Sequence, residues 1–146
     1  DTVAHPHRRA WAEHSARTGR ADPAEVLPAL TRMANRLKPR LGERILVIGT
    51  GEFCYEPHRL AELLAERGAD AHLQATSRSP AALGHAIRSR LTFPDTANEG
   101  RVNFLYNVQP KAWDLLVVFY EDRPPHHPLP DLLRNAGGTV ETFSWT

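Results

Sequence analysis

The clearest pattern in the chain is the continuous apolar run at residues 45–48, which leads directly into Gly49-Thr50-Gly51. A short run of β-branched and leucine residues closed by glycines is typical of a buried parallel strand that opens into a tight turn. Leucines then recur at helical spacing between Glu56 and Arg67. A strand, a glycine turn and a helix in this order begin a βαβ unit, and ligands bind at the carboxyl ends of such strands. We therefore expect the turn to lie at a functional site.

The pattern along the rest of the chain predicts a small α/β domain. One helix is expected before the first strand, between Asp22 and Leu37, and a second strand at residues 71–75. Ser79 before Pro80 is a good helix start, so the apolar positions up to Leu91 predict a further helix. The elements predicted after it are a short strand or extended loop at 102–108, a strand at 114–120, a brief helix at 130–135 and an edge strand at 139–143. This order predicts a Rossmann-like three-layer domain with a mostly parallel sheet of about four to five strands.

Two regions of the chain differ in character. Residues 1–21 are rich in charged side chains and histidines, with Trp11 as the only large apolar anchor, and we expect them to form a linker or loose N-terminal segment. Asp22, Pro23 and Glu25 are residue types preferred at the first positions of a helix, which places the folded domain at residues 22–146. The chain begins without a methionine, which suggests a fragment of a longer protein.

Composition excludes several classes of protein. The 146 residues suffice for one domain, and 41% hydrophobic with 24% charged residues is ordinary for a soluble globular protein. The sequence has no apolar stretch near the ~20 residues of a membrane helix, so no membrane partner is expected. Its single cysteine fits the reducing cytoplasm. With a formal net charge of +1 and no basic stripe, nucleic acid is not expected as a partner either.

The glycine turn supplies the first candidate ligand-binding residues, Gly49, Thr50, Gly51 and Glu52. A third glycine at the spacing of the dinucleotide fingerprint is missing, so a nicotinamide dinucleotide is not expected and no cofactor is predicted. The alternative is that the glycines only permit the turn geometry.

A second candidate is the segment Thr76-Ser77-Arg78-Ser79, which follows the second strand. Two hydroxyls, a guanidinium and the N–H groups of a predicted helix start suit a phosphate or a carboxylate. The alternative is a capping turn in which Ser79 binds its own backbone and Arg78 lies in water.

Carboxylates at strand ends are candidate acid–base groups. Glu121 and Asp122 end the strand beside the expected ligand crevice, where they would bind ribose hydroxyls, act as acid or base, or simply be solvated. Glu52 and Glu121 are therefore the two candidate catalytic residues. The adjacent His126 and His127 lie among prolines and are interpreted as surface residues, and no metal site is predicted.

The segment at 103–108 combines aromatic residues with two asparagines. Such side chains can stack on a ring and offer amide hydrogen bonds, so we expect the segment to fold over the mouth of the cleft, with Asn103, Tyr106 or Asn107 facing the ligand. The alternative is an edge strand whose aromatics only cover the sheet. Cys54 has no clearly paired histidine and is interpreted as a buried or incidental thiol.

Taken in order, the 49–53 turn, the 76–80 segment, the 103–108 segment and the Tyr120-Glu121 strand end resemble the TRSP domain. That family is found C-terminal to a phosphoribosyltransferase domain in bacterial gene clusters linked to tellurite resistance and stress. Its Thr-Arg-Ser-Pro motif falls on Ser77 to Pro80, with Ser77 in the threonine place. The resemblance covers residues 37–143 and implies a fused or associated phosphoribosyltransferase and a role in making a nucleoside-like metabolite.

Three functions follow as hypotheses. The first is an accessory domain that binds a phosphorylated ribose or nucleotide-like ligand, with the 76–79 segment on phosphate and Thr50, Glu52 and Glu121 on ribose or base. The second is a self-standing enzyme acting on that metabolite. The third is a docking or dimerisation domain, which leaves homo-oligomer formation open. The sequence does not decide whether the domain is catalytic.

Overall fold

A computed structural model of the protein describes residues 23–84, 86–96 and 100–146. The predicted linker at 1–21 and the predicted N-cap, Asp22, lie outside these residues. The described elements are α1 (Pro23–Leu37), β1 (Arg44–Gly49), α2 (Tyr55–Glu66), β2 (Asp70–Ala75), β3 (Arg90–Pro94), β4 (Val102–Tyr106), a 3₁₀ turn (Pro110–Ala112), β5 (Leu115–Tyr120), α3 (Leu129–Asn135) and β6 (Val140–Ser144).

Four of the strands form one parallel sheet in the order β2-β1-β5-β6. The two central strands, β1 and β5, are apolar along almost their whole length, as expected for strands covered on both faces. β2 and β6 are the edges, which confirms the predicted edge strand near the end of the chain. The Rossmann-like α/β fold predicted from the sequence is therefore confirmed.

Each face of the sheet has its own hydrophobic core, so the domain has three layers. On one face, α1 and α2 pack against alternate residues of the sheet, with Leu30, Leu60, Leu64 and Phe119 among the buried side chains. On the other face, the cover consists of α3 and a two-stranded antiparallel hairpin formed by β3 and β4. Leu105 and Leu129 reach the sheet from that side.

The prediction of a helix between Pro80 and Leu91 is wrong, since the described residues of this segment form none. Gly84 has a φ of +147°, which no helix accommodates, and its N–H and C=O form reciprocal hydrogen bonds with Ile87. Leu83, which would have anchored an apolar helix face, is 56% exposed. Asn107 accepts a hydrogen bond from the Arg88 N–H at 2.7 Å, so a distant side chain takes a donor that a helix would need. The segment instead leads into β3, which begins at Arg90.

The aromatic segment at 102–108 is a strand over most of its length. β4 pairs with β3 from Arg90↔Tyr106 to Pro94↔Val102, and its other side is bridged by Ser77 through Phe104. Asn103 and Leu105 point into the core, whereas Phe104 and Tyr106 are half-buried on the opposite side. Across the described residues, the helices are too short or too polar to cross a membrane.

Candidate functional site

The strand order places a topological switch point between β1 and β5. From the carboxyl end of β1 the chain continues through α2 to β2 on one side, whereas from the carboxyl end of β5 it continues through α3 to β6 on the other. The two helices lie on opposite faces of the sheet. Open α/β sheets commonly bind ligands at such a divergence. The turn at 49–53 and Glu121 border it.

Two features fix the conformation of the glycine turn, a close backbone contact at Gly49 and a hydrogen bond from Gly51. A Cβ on Gly49 would lie 2.5 Å from the carbonyl oxygen of Phe53, so only glycine fits there. Gly51 has a φ of +61°, and its N–H donates to the Thr76 hydroxyl at 2.7 Å. The ends of β1 and β2 are thus tied together. Within the turn Thr50 is buried, whereas Glu52 is exposed.

The start of α2, directly after this turn, is an acidic environment. Cys54 occupies the N-cap position without a side-chain cap hydrogen bond, and Glu56 lies in the first turn with 1% exposure. Burial, followed by the nearby Glu52 and Glu56 carboxylates, raises the pKa of the Cys54 thiol. A raised pKa disfavours the thiolate, which is the form in which a cysteine acts as a nucleophile.

The 76–80 segment does not present a helix N-terminus, since no helix follows it. Ser77 exchanges backbone hydrogen bonds with Phe104, and its hydroxyl accepts the Ser79 N–H at 3.1 Å. The Ser79 carbonyl accepts a hydrogen bond from the Tyr106 hydroxyl at 2.7 Å. The segment therefore joins the end of β2 to β4, and the helix-dipole argument for an anion site there is lost.

Arg78 is the one side chain of this segment held by a buried acid. Its guanidinium lies 2.9 Å from Asp95, whose side chain is 1% exposed, whereas that of Arg78 is 45% exposed. Asn103 donates from its amide to the other carboxylate oxygen of Asp95 at 3.0 Å. A charged residue this buried is rare unless it is paired. Asp95 did not stand out in the sequence, because a single acid near a turn has no distinguishing pattern.

Two further candidates, Tyr106 in β4 and Asn107 after it, bind backbone groups of residues 79–81 and 86–89. The Tyr106 hydroxyl also accepts the Ala81 N–H at 2.8 Å. Asn107 has a φ of +56°, and its side-chain amide donates to the Ala86 carbonyl at 2.7 Å while its oxygen accepts from Arg88. Both side chains therefore bind backbone groups of this segment, and their predicted contact with a ligand stays a prediction.

His127 is buried, so its interpretation as a surface residue is wrong, whereas His126 is exposed. The Nε2 atom of His127 lies 2.9 Å from the Pro94 carbonyl oxygen, which can only accept a hydrogen bond. The Nδ1 atom of His127 lies 2.7 Å from the Tyr120 hydroxyl. The neutral ring therefore carries its proton on Nε2 and accepts from Tyr120. Burial lowers the pKa of His127 and raises that of Tyr120, so both are neutral near pH 7. His127 therefore links Tyr120, at the carboxyl end of β5, to Pro94 at the end of β3 in the hairpin.

The strand order brings some of the predicted residues to one edge of the sheet. Gly49 ends β1, and Thr50 to Glu52, Thr76 and Glu121 follow parallel strands at the carboxyl edge, with Arg78 two residues after Thr76. The Glu121 carbonyl accepts two hydrogen bonds from Thr146. Within residues 23–84, 86–96 and 100–146, no cluster of three or more His, Cys, Asp or Glu side chains is arranged to hold a metal ion.

Comparison with known proteins identifies the family. No curated protein and no solved structure matches the chain significantly. A family model described as the TRSP domain, C-terminal to the phosphoribosyltransferase domain PRTase_2, matches residues 14–135, which is well over half of the chain. The protein therefore belongs to the TRSP domain family, which is associated with a phosphoribosyltransferase.

Proposed function

We propose that this domain binds a phosphorylated ribose or nucleotide-like metabolite handled by the phosphoribosyltransferase with which its family is associated. The observation that carries the proposal is the strand order, which sets the glycine turn of β1 beside Glu121 at a switch point of the sheet. Ligands of doubly wound α/β proteins bind in such crevices. The domain supplies binding in this proposal, and no catalytic step is assigned to it.

The charges near the crevice suggest how such a ligand would lie. Glu52 and the buried Glu56 make the start of α2 unfavourable for an anion, whereas the exposed Glu52 carboxylate suits the hydroxyl groups of a ribose. Glu121, after β5, would accept from the ribose on the opposite side. Arg78, which follows the end of β2, is the cation that we assign to the phosphate. The ligand would therefore lie with its sugar between β1 and β5 and its phosphate toward Arg78.

The setting implied by the sequence belongs to the same proposal. A cytoplasmic protein is favoured by the single cysteine. A role in tellurite resistance or stress is what the resemblance to the family's gene clusters implies. Both are compatible with a domain that binds a metabolite handled by the associated phosphoribosyltransferase.

Calorimetric titration of the protein with ribose 5-phosphate tests the proposal, with ribose and inorganic phosphate as separate ligands. We expect ribose 5-phosphate to bind more tightly than either part. Glu121→Gln should weaken that binding about tenfold or more, because a hydrogen bond to a charged group contributes ~1.5–3 kcal/mol. Glu66→Gln, at an exposed position in the last turn of α2, is the matched control. Equal affinity for ribose 5-phosphate and phosphate, or no heat at all, would reject the proposal.

A further inference from the structure

Asp95 is a buried acid that the proposed ligand site, as described so far, does not use. It lies at the end of β3, with its backbone N–H bound to the Arg101 carbonyl at 2.9 Å. Its side chain is almost fully enclosed, and it faces Arg78 on one side and Asn103 on the other. Removing a carboxylate from water is unfavourable, and the pairing with a guanidinium offsets that loss. Arg78 and Asn103 therefore contact the two carboxylate oxygens of Asp95, one each.

The side chain of Asn103 incurs a free-energy penalty in this cluster, because one of its polar atoms is buried without a hydrogen bond. Its side chain is 0% exposed, and its Oδ1 has no hydrogen-bond partner among the described residues. An acceptor buried without a partner destabilises a fold, and native structures avoid it in most places. Asn103 thus satisfies Asp95 at the expense of its own carbonyl oxygen. Such a compromise is understandable if the orientation of the Asp95 carboxylate matters for more than stability.

The guanidinium of Arg78 is what this orientation controls. One Nη lies against Asp95, and the side chain remains nearly half exposed. The contact is an ion pair without hydrogen-bond geometry, so Asp95 fixes where the guanidinium lies, and the planar group still has N–H donors to offer a ligand. The pair is close to neutral overall, so its advantage for an anion is geometric and not a matter of long-range attraction.

We propose that Asp95, itself oriented by Asn103, is a positioning residue that holds the Arg78 guanidinium in place to bind the phosphate of the ligand. This inference rests on the proposed function and assigns a role to two residues of the hairpin that the crevice alone does not require. The ligand class is a phosphate monoester on a sugar. Asp95 does not touch the ligand and acts only through Arg78.

A double-mutant cycle on the full chain, read by calorimetric titration with ribose 5-phosphate, tests this role. Arg78→Ala should weaken binding about tenfold or more, and Asp95→Asn about fivefold. In the Arg78→Ala background, Asp95→Asn should have no further effect, because a positioning residue has nothing left to position. A residue that only supports the fold would lower affinity in both backgrounds. Asp131→Asn breaks an exposed Arg–Asp pair on α3 and is the control.

Arg78→Lys provides a second test that leaves the buried acid intact. Lysine keeps the charge but lacks the planar fork, so we expect nearly the same loss as with Arg78→Ala. Full affinity in Arg78→Lys, full affinity in Asp95→Asn, or additive losses in the cycle would each overturn the inference while leaving ribose 5-phosphate binding in place. Absence of binding by the unmodified protein would instead reject the proposed function, and this inference with it.

Discussion

The hydroxyl of Thr76 accepts a hydrogen bond from the backbone N–H of Gly51 at 2.7 Å, which couples the ends of two adjacent parallel strands. Thr76 is 5% exposed, and Gly51 is in the left-handed region of φ. The glycine turn therefore does not hold its shape alone. Its conformation depends on a residue 25 positions later in the chain.

Thr76→Val should destabilise the domain by about 1–3 kcal/mol, because it leaves the Gly51 N–H without an acceptor in a partly buried place. Urea denaturation measures the change. Thr76→Ser restores a hydroxyl and should recover most of the loss, whereas Thr139→Val, at an exposed position, should change little. A Thr76→Val protein as stable as the original would show that the hydrogen bond contributes nothing to the turn.

Stability should decrease on acidification because of His127. Burial lowers the pKa of this ring below its ordinary 6.5, although the Pro94 hydrogen bond and Asp95 act in the opposite direction. The unfolded chain then binds the proton at a higher pH than the folded chain does. The stabilising contribution is complete above pH 6.5 and is lost progressively as the pH falls below it.

Denaturant unfolding at about pH 7.5 and about pH 5.5 checks this, with His127→Gln as the test variant. The variant should show a smaller loss of stability between the two pH values than the unmodified protein. His126→Asn is the control, because His126 is exposed with a φ of +58° that asparagine tolerates. An unchanged pH dependence in His127→Gln would assign the effect to other histidines.

Asn107 offers a way to separate backbone strain from side-chain hydrogen bonds. Its φ of +56° favours glycine or asparagine, and its side chain binds Ala86 and Arg88. Asn107→Ala should cost about 2 kcal/mol, from strain and lost hydrogen bonds together, and Asn107→Gly about 1 kcal/mol, from the hydrogen bonds alone. Thermal unfolding gives both values. A loss of ribose 5-phosphate affinity at full stability would instead support the prediction that Asn107 faces the ligand.

Gly49 should be the least tolerant glycine of the sheet edge. An added Cβ would meet the Phe53 carbonyl oxygen, a backbone atom that cannot move aside without opening the turn. We expect Gly49→Ala to cost about 3 kcal/mol. Gly42→Ala is the contrast, with a φ of +73° and open space around it, and should cost about 1 kcal/mol. Equal losses from differential scanning calorimetry would contradict the steric argument.

The sequence predicted the sheet well because its signals are local. Residues 45–48 and 115–120 are continuous apolar runs between polar segments, and both are central strands. The helix at 80–91 was predicted wrongly because the deciding contact comes from Asn107, far along the chain. Asp95 and His127 were missed for a related reason. Nothing in the residues beside them shows that the hairpin and the prolines enclose them, since burial of a lone polar residue depends on the tertiary fold.

The hairpin between β2 and β5 also affects the order in which the domain folds. β1, α2 and β2 are contiguous in the chain, whereas β1 meets β5 only after the roughly 40 residues between β2 and β5 have been closed into a loop. Contacts of short sequence separation form before such long-range pairings. We therefore expect the βαβ unit to form early and the pairing of β1 with β5 late. Because the switch point lies between these two strands, it forms only once β1 and β5 have paired.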